Sequence, residues 1–317
     1  MKEFINIWLD LTSLIFETIV ISSFSKLVFT NGTSYLLSET TSIDSNQNYE
    51  QLIRLASAIL QFLILVVYLS VRYCFYFSIP NVKTFIRKTF TGKSIYPSSQ
   101  TLQVSLVHGI SFLLLCVYQE YVIKEWKYYS FDNYNLHNNT AVIGASKNIK
   151  FELDYAKSIN MIFLNPIKEE FLFRLTVVSI LCYRLNNKVN GVMLSSVLFG
   201  LLHFANFFSL KSEYASSYVY LQCVFAFLIG IFYALEMILT ENLLNVILLH
   251  IVNNVFASFV PIHRSIDLND PVVTFLLLVT ICIYSCYCYH GYQRLVRKLN
   301  TSIENDVIEK NSKKKTK

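Results

Sequence analysis

Three short motifs place chemically active side chains within long apolar segments of the chain. They are Glu169-Glu170-x-x-x-Arg174, Phe199-x-x-x-His203 and His250-x-x-x-Asn254. Residues four apart on a helix lie on the same face, so Glu170 would stand beside Arg174, and the ends of the other two motifs would also be neighbours. Carboxylate, imidazole and amide groups are suited to activating water and stabilising an oxyanion. The motifs therefore permit hydrolytic chemistry.

The cost of burying these charges supports a functional interpretation. Lys168, Glu169, Glu170 and Arg174 facing lipid would together cost about 10 kcal/mol, at about 2.5–3.5 kcal/mol each on insertion scales. We therefore expect them to face protein or trapped water. Glu169 is rotated by about 100° from Glu170 on a helix, which lets one carboxylate point into a cavity while the other pairs with Arg174.

The composition is typical of a polytopic membrane protein. Of 317 residues, 54% are hydrophobic and only 15% are charged, and the mean hydropathy is +0.43. Segments long enough to cross about 30 Å of hydrocarbon recur along the chain. We predict an all-α fold of about eight transmembrane helices, with the site in the bundle interior. The expected spans are roughly 5–29, 55–77, 102–123, 160–183, 189–208, 218–239, 243–260 and 272–289.

Three of these spans carry the motifs to a similar depth. Counted at about 1.5 Å per residue from the expected helix ends, Glu169, His203 and the His250-x-x-x-Asn254 motif lie near one level. Taken alone, a Glu–Arg pair more often clamps two helices, and an intramembrane His more often makes a structural hydrogen bond. Their common depth favours one shared site.

Four further ionisable residues lie in or near the spans without a motif partner. For these we expect hydrogen bonds between helices. They are Asp10, His108, Glu120 and Glu236.

In their order and membrane placement, the three motifs resemble the CPBP family of intramembrane proteases, which includes the type II CAAX prenyl endopeptidases. Asn165-Pro166, before the Glu pair, is also similar to the segment around the first family motif. The segment Phe199-Gly200-Leu201-Leu202-His203-Phe204 looks similar to the second. The resemblance covers about residues 160–256, roughly a third of the chain.

The resemblance implies a catalytic role for four residues. Glu169 would act as general base on a water that His203 also holds, while His250 and Asn254 would stabilise the oxyanion or help to hold that water. Alternatively, Glu169, His203 and His250 could make a three-ligand zinc site with an open position for water, although the H-E-x-x-H pattern is absent. A water-activating Glu without a metal is the competing interpretation.

The resemblance also implies supporting residues and a substrate. Glu170 and Arg174 would form a supporting ion pair, and Phe199 would pack the site. The substrate would be a prenylated CAAX protein or peptide, from which a C-terminal tripeptide is released. A proton-coupled transporter, which also needs intramembrane Glu and His, and a non-catalytic membrane scaffold remain alternatives. We find no internal repeat of the kind that would favour a transporter.

We divide the chain into N-terminal transmembrane helices (1–123), a connecting loop (124–158), a CPBP-like catalytic membrane domain (159–292) and a basic cytosolic tail (293–317). The charged tail is expected to be disordered. Basic residues cluster after the second and last spans, which places both termini in the cytoplasm. The ending Lys314-Lys315-Thr316-Lys317 resembles a dilysine retrieval signal of the endoplasmic reticulum; a generic basic stop-transfer tail is the alternative. The basic residues behind the net charge of +6 are concentrated in loops beside the membrane and in the tail. We therefore expect them to contact anionic lipid headgroups, and we expect no nucleic acid as a partner.

Overall fold

A computed structural model of the chain describes residues 2–40, 47–90, 155–208, 215–258 and 266–315, together with short pieces between 102 and 110. These described residues form helices and contain no strand, which confirms the predicted all-α fold. The α-helices are α1 (Lys2–Thr40), α2 (Gln47–Tyr76), α3 (Val82–Phe90), α4 (Tyr155–Ile159), α5 (Asn165–Glu170), α6 (Val178–Arg184), α7 (Lys188–Leu202), α8 (Ser216–Thr240), α9 (Leu243–Ala257) and α10 (Pro271–Lys315). Two π-helical turns, π1 (Asn160–Leu164) and π2 (Phe171–Val177), join α4, α5 and α6, and a 3₁₀ turn (His203–Phe208) follows α7.

Within the described ranges, five helices are long and apolar enough to cross a membrane, which confirms a polytopic membrane protein. They are Ile5–Phe29, Tyr49–Tyr76, Lys188–Phe207, Ser216–Thr240 and Pro271–Thr301. Helix α9 is apolar but has 15 residues, so it extends only about 22 Å. The helical run 155–184 carries the charged Glu pair, and the predicted span 102–123 falls mostly outside the described residues. The predicted count of eight spans is therefore not confirmed.

Asparagine side chains start the two helices that carry the histidines. At the start of α7, the Asn187 side chain accepts hydrogen bonds from the amides of Val189 and Asn190. At the start of α9, Asn242 accepts from the Leu244 amide at 3.0 Å. Such N-caps satisfy amides that have no partner within the helix, and they define where each helix enters the bundle.

Two hydrophobic clusters enclose the site. The first joins α1, α2 and α3 to the run 155–184, α7 and α9, with Leu69 and Leu175 fully buried. The second joins α8, α9 and α10 through residues such as Phe232 and Tyr284. Helices α7 and α8 approach closely at Gly200, where an added Cβ would lie 3.1 Å from the Cys223 carbonyl oxygen. Such small-residue contacts let helix backbones meet within a membrane.

Ion pairs explain how acids are accommodated within candidate spans. Both carboxylate oxygens of Glu17 on α1 accept from Arg72 on α2, each at 3.1 Å. Asp10 pairs with Arg184 on α6, as expected for a bond between helices. Glu236 on α8 likewise lies 3.2 Å from an Arg294 nitrogen on α10. The other two residues of this prediction, at positions 108 and 120, lie outside the described residues.

The last helix corrects the prediction of a disordered tail. Helix α10 continues without a break past residue 292 and ends at Lys315. In this stretch acidic residues precede the basic ones, the order that favours a helix. Lys298 also donates to the Ile238 carbonyl at 3.2 Å and the Leu239 carbonyl at 3.4 Å. It thereby satisfies carbonyls at the end of α8 and holds α10 against it.

Candidate active site

The Glu pair lies on a helix that widens into a π turn on each side of it. Pro166 has no amide hydrogen and its ring would clash with the carbonyl four residues earlier in a regular α-helix. The preceding turn is accordingly wider, and the Asn165 amide donates to the Asn160 carbonyl, five residues back. The second π turn, π2, follows directly after the pair. Single π turns within helices are frequent at functional sites.

The first π turn leaves the Met161 carbonyl without a helical donor. Its α-helical donor, the Asn165 amide, bonds to Asn160, and its π-helical donor would be Pro166, which has no N–H. Asn254 on α9 supplies the missing donor, because its Nδ2 donates to the Met161 oxygen at 3.0 Å. Asn254 thus ties α9 to the helix of the Glu pair. Sequence reasoning missed this bond, although Pro166 was the signal that could have revealed it.

Glu170 stands at the centre of a buried ionic cluster. It is fully buried, and Arg174 is 1% exposed. One Glu170 oxygen lies 3.1 Å from Arg174 Nε, and the other lies 2.6 Å from His250 Nδ1. Among the described residues, no group is oriented to form a hydrogen bond with the Arg174 nitrogens. The guanidinium instead lies 4.1 Å from the centre of the Phe199 ring and 5.4 Å from the centre of the Tyr233 ring. The Glu170 charge and these aromatic faces hold the cation.

The bond to Glu170 fixes the orientation of His250, a link that the motif spacing did not predict. A carboxylate only accepts, so His250 Nδ1 carries the proton and donates to it. The other nitrogen, Nε2, lies 3.7 Å from a Glu169 oxygen. The Glu169 side chain is 32% exposed, whereas that of Glu170 is 0%. The two adjacent acids therefore face different surroundings, as their rotation around the helix predicts.

His203 sits where α7 tightens into the 3₁₀ turn, so it ends the helix instead of lying within it. Its Nδ1 donates to the Phe199 carbonyl at 2.9 Å, which leaves Nε2 as the nitrogen available to other groups. The Phe199 ring packs edge-on against both histidines, with ring centres 5.0 Å from His203 and 6.2 Å from His250. Phe199 therefore fills the space between the two imidazoles.

A cavity of about 360 Å³ brings together the four residues predicted to be catalytic. Its walls include Glu169, His203, His250 and Asn254. One water needs only about 10–15 Å³ of such space, so the cavity has room for water and part of a substrate. Glu170 and Arg174 lie outside the cavity walls, behind His250.

A second, largely apolar cavity adjoins the polar one between α8, α9 and α10. It extends along Phe225 and Ile229 of α8 to Leu277 of α10. Residues common to both walls mark the boundary between the two cavities, and these are His203, Tyr218, Gln222, His250, Asn254 and Ala257. The histidines and Asn254 therefore stand where an apolar chamber meets a polar one.

The donor set does not fit the zinc site predicted from Glu169, His203 and His250. In the part of the chain that the structure describes, no three His, Cys, Asp or Glu side chains are grouped to hold a metal ion. The Phe199 carbonyl and Glu170 engage the Nδ1 atoms of His203 and His250 respectively, so each histidine could offer only Nε2 to a metal.

A bundle of helices with an internal polar cavity lined by Glu, His and Asn is the arrangement that an intramembrane hydrolase would need. In a comparison with protein-family models, residues 152–256 match the model described as type II CAAX prenyl endopeptidase Rce1-like. The matched segment is about a third of the chain and contains every residue predicted for the site. It confirms the family resemblance and supports a CAAX-type intramembrane protease in general. A search of curated proteins found no match, and neither did a search of solved structures.

Proposed function

We propose that this protein is an intramembrane endopeptidase that cleaves prenylated CAAX proteins or peptides after the modified cysteine. One observation carries the proposal: Glu169, His203, His250 and Asn254 line a single cavity within the segment that matches the family. The products are the prenylated chain with a new carboxylate and a free C-terminal tripeptide.

Glu169 is the general base in this mechanism. Its partly exposed carboxylate lies 3.7 Å from His250 Nε2, too far for a direct hydrogen bond but within reach of a bridging water. A water held by Glu169 and His203 attacks the scissile carbonyl while Glu169 takes a proton from it. The same proton then passes to the amine nitrogen of the leaving tripeptide.

His250 and Asn254 stabilise the oxyanion that forms during this attack. His250 presents a donor at Nε2 when it carries a second proton, and its Nδ1 stays bonded to the Glu170 carboxylate, which orients the ring. The Asn254 amide has two hydrogens, of which one is used on the Met161 carbonyl. The second hydrogen serves the oxyanion. Two donors fixed in place before the reaction need no reorganisation when the charge develops.

The two adjoining cavities suit a substrate that is part lipid and part peptide. In our proposal the prenyl chain occupies the apolar chamber beside Phe225 and Ile229, and the peptide lies in the polar chamber beside Glu169. The scissile bond then lies at the shared boundary, beside the histidines. In our proposal membrane lipids surround the protein, and its membrane is that of the endoplasmic reticulum.

Cleavage of a farnesylated CAAX peptide by the purified protein in lipid nanodiscs tests the function. We expect the wild type to release the tripeptide, as measured by mass spectrometry, and Glu169→Gln to lower the rate by about 10²–10⁴-fold because a general base is lost. Glu50→Gln is the matched control, since Glu50 is an exposed residue paired with Arg54 on α2. Tripeptide release by Glu169→Gln at the wild-type rate, or no release by the wild type, would contradict the proposal.

A further inference from the structure

Among the amide side chains that line the polar cavity, Asn206 and Gln222 are bonded to each other and have no part in the proposed catalysis. Asn206 lies in the 3₁₀ turn shortly after His203, and Gln222 lies on α8. Asn206 Nδ2 donates to Gln222 Oε1 at 2.8 Å. Both side chains are half-buried, and Gln222 also reaches the apolar cavity. Asn206 therefore lies in the polar cavity, and Gln222 lies at the boundary between the two cavities, as the imidazoles do.

The pair keeps one carbonyl acceptor and three N–H donors for a ligand. A primary amide carries one carbonyl acceptor and two N–H donors. Within the described ranges, these side chains make one hydrogen bond, which is the bond to each other. It leaves Asn206 Oδ1, the second Asn206 N–H and both N–H groups of Gln222 available. Exchanging the oxygen and nitrogen positions in both side chains would reverse the direction of the bond but leave the same number of free donors and acceptors.

A peptide main chain presents the matching groups. Every non-proline residue offers one N–H and one C=O, and an extended peptide exposes both along its edge. If the prenyl chain fills the apolar chamber and the scissile bond lies at the boundary, the residues after that bond enter the polar chamber. Those residues then pass Asn206 and Gln222.

We propose that Asn206 and Gln222 bind the main chain of the tripeptide portion of the substrate. This inference rests on the proposed endopeptidase function and adds to it two binding residues outside the catalytic set. The pair recognises the backbone of the tripeptide and does not read its side chains. It holds the leaving portion so that the scissile carbonyl faces the water on Glu169.

Leucine substitutions separate this role from catalysis. We expect Gln222→Leu and Asn206→Leu each to raise KM for the farnesylated peptide about tenfold, the worth of one hydrogen bond, with kcat within about twofold of wild type. Gln293→Leu is the matched control, because Gln293 is bonded to Tyr289 on α10 outside both cavities. A fall in kcat with KM unchanged would show a merely structural pair and overturn the proposal.

A backbone-altered substrate supplies a readout that a structural role would not move. Replacing a main-chain N–H of the tripeptide by an ester oxygen removes one donor from the peptide. The ester that removes the contacted N–H should raise the wild-type KM about tenfold, yet leave the KM of Asn206→Leu unchanged. If each ester that weakens wild-type binding weakens the variants equally, the pair does not contact the main chain.

The two proposals fail in different ways. If the wild type does not cleave the peptide, the endopeptidase function is wrong. If it cleaves with full dependence on Glu169, but Gln222→Leu keeps the wild-type KM, only the role of the amide pair is wrong.

Discussion

The hydrogen bond from Asn254 to the Met161 carbonyl should be coupled energetically to Pro166. The Met161 oxygen depends on Asn254 because Pro166 offers no amide hydrogen and the Asn165 amide is used on Asn160. Asn254→Leu leaves this carbonyl without a donor, which should lower the free energy of unfolding by about 1–2 kcal/mol. Pro166→Ala restores an amide that can donate to the same carbonyl across the π turn.

A double-mutant cycle measures this coupling. We expect Asn254→Leu to cost less in the Pro166→Ala background than in the wild type, with a coupling free energy of about 1 kcal/mol. The assay is reversible unfolding in mixed micelles, followed by circular dichroism. Catalysis should stay low in the double variant, because the amide at position 166 does not replace the oxyanion donor. Strictly additive losses would refute the reasoning that Pro166 creates the need for Asn254.

Three further predictions test other parts of the site. Glu170→Gln should lower the free energy of unfolding by about 3 kcal/mol, because it leaves the Arg174 charge buried without its partner. The double variant Glu170→Gln, Arg174→Met should recover part of that loss. Equal stability of the single and double variants, measured by unfolding in micelles, would contradict this prediction. Gly200→Ala should lower kcat, because the new Cβ meets the Cys223 carbonyl and displaces the turn that carries His203. Leu201→Ala, at an exposed position of α7, should leave kcat unchanged. Peptide cleavage by the two variants decides between these outcomes, and equal rates would contradict the prediction. Incubation with a strong chelator followed by desalting should change the cleavage rate by less than about twofold, because no three potential metal ligands are grouped among the described residues. Activity that is lost on this treatment and restored by zinc would contradict the prediction.

The sequence predicted the parts of the site that depend on helical periodicity. The ion pair between Glu170 and Arg174 and the opposite surroundings of Glu169 and Glu170 both follow from positions around a single helix. Helical periodicity does not reveal how two helices are set against each other. The bond between His250 and Glu170 joins residues far apart in sequence, so it depends on how α9 docks against α5.

The number of spans and the structure of the tail were harder to predict from the sequence. The count of eight spans treated each apolar segment alike, but α9 is short and the run 155–184 combines apolar residues with the buried ionic cluster around Glu170. The tail was expected to be disordered from its charge, yet the order of its acids and bases favours the helix that ends at Lys315. The bond to Met161 arose from a π turn, which a regular helical wheel does not represent.

The most direct test of the central claim is the rate of peptide cleavage by Glu169→Gln, His203→Ala and the double variant. If both side chains act on one water in one cavity, either substitution removes most of the catalysis, and the double variant should be hardly slower than the slower single variant. Losses that multiply in the double variant, or a single variant with the wild-type rate, would show that Glu169 and His203 do not act on a common water.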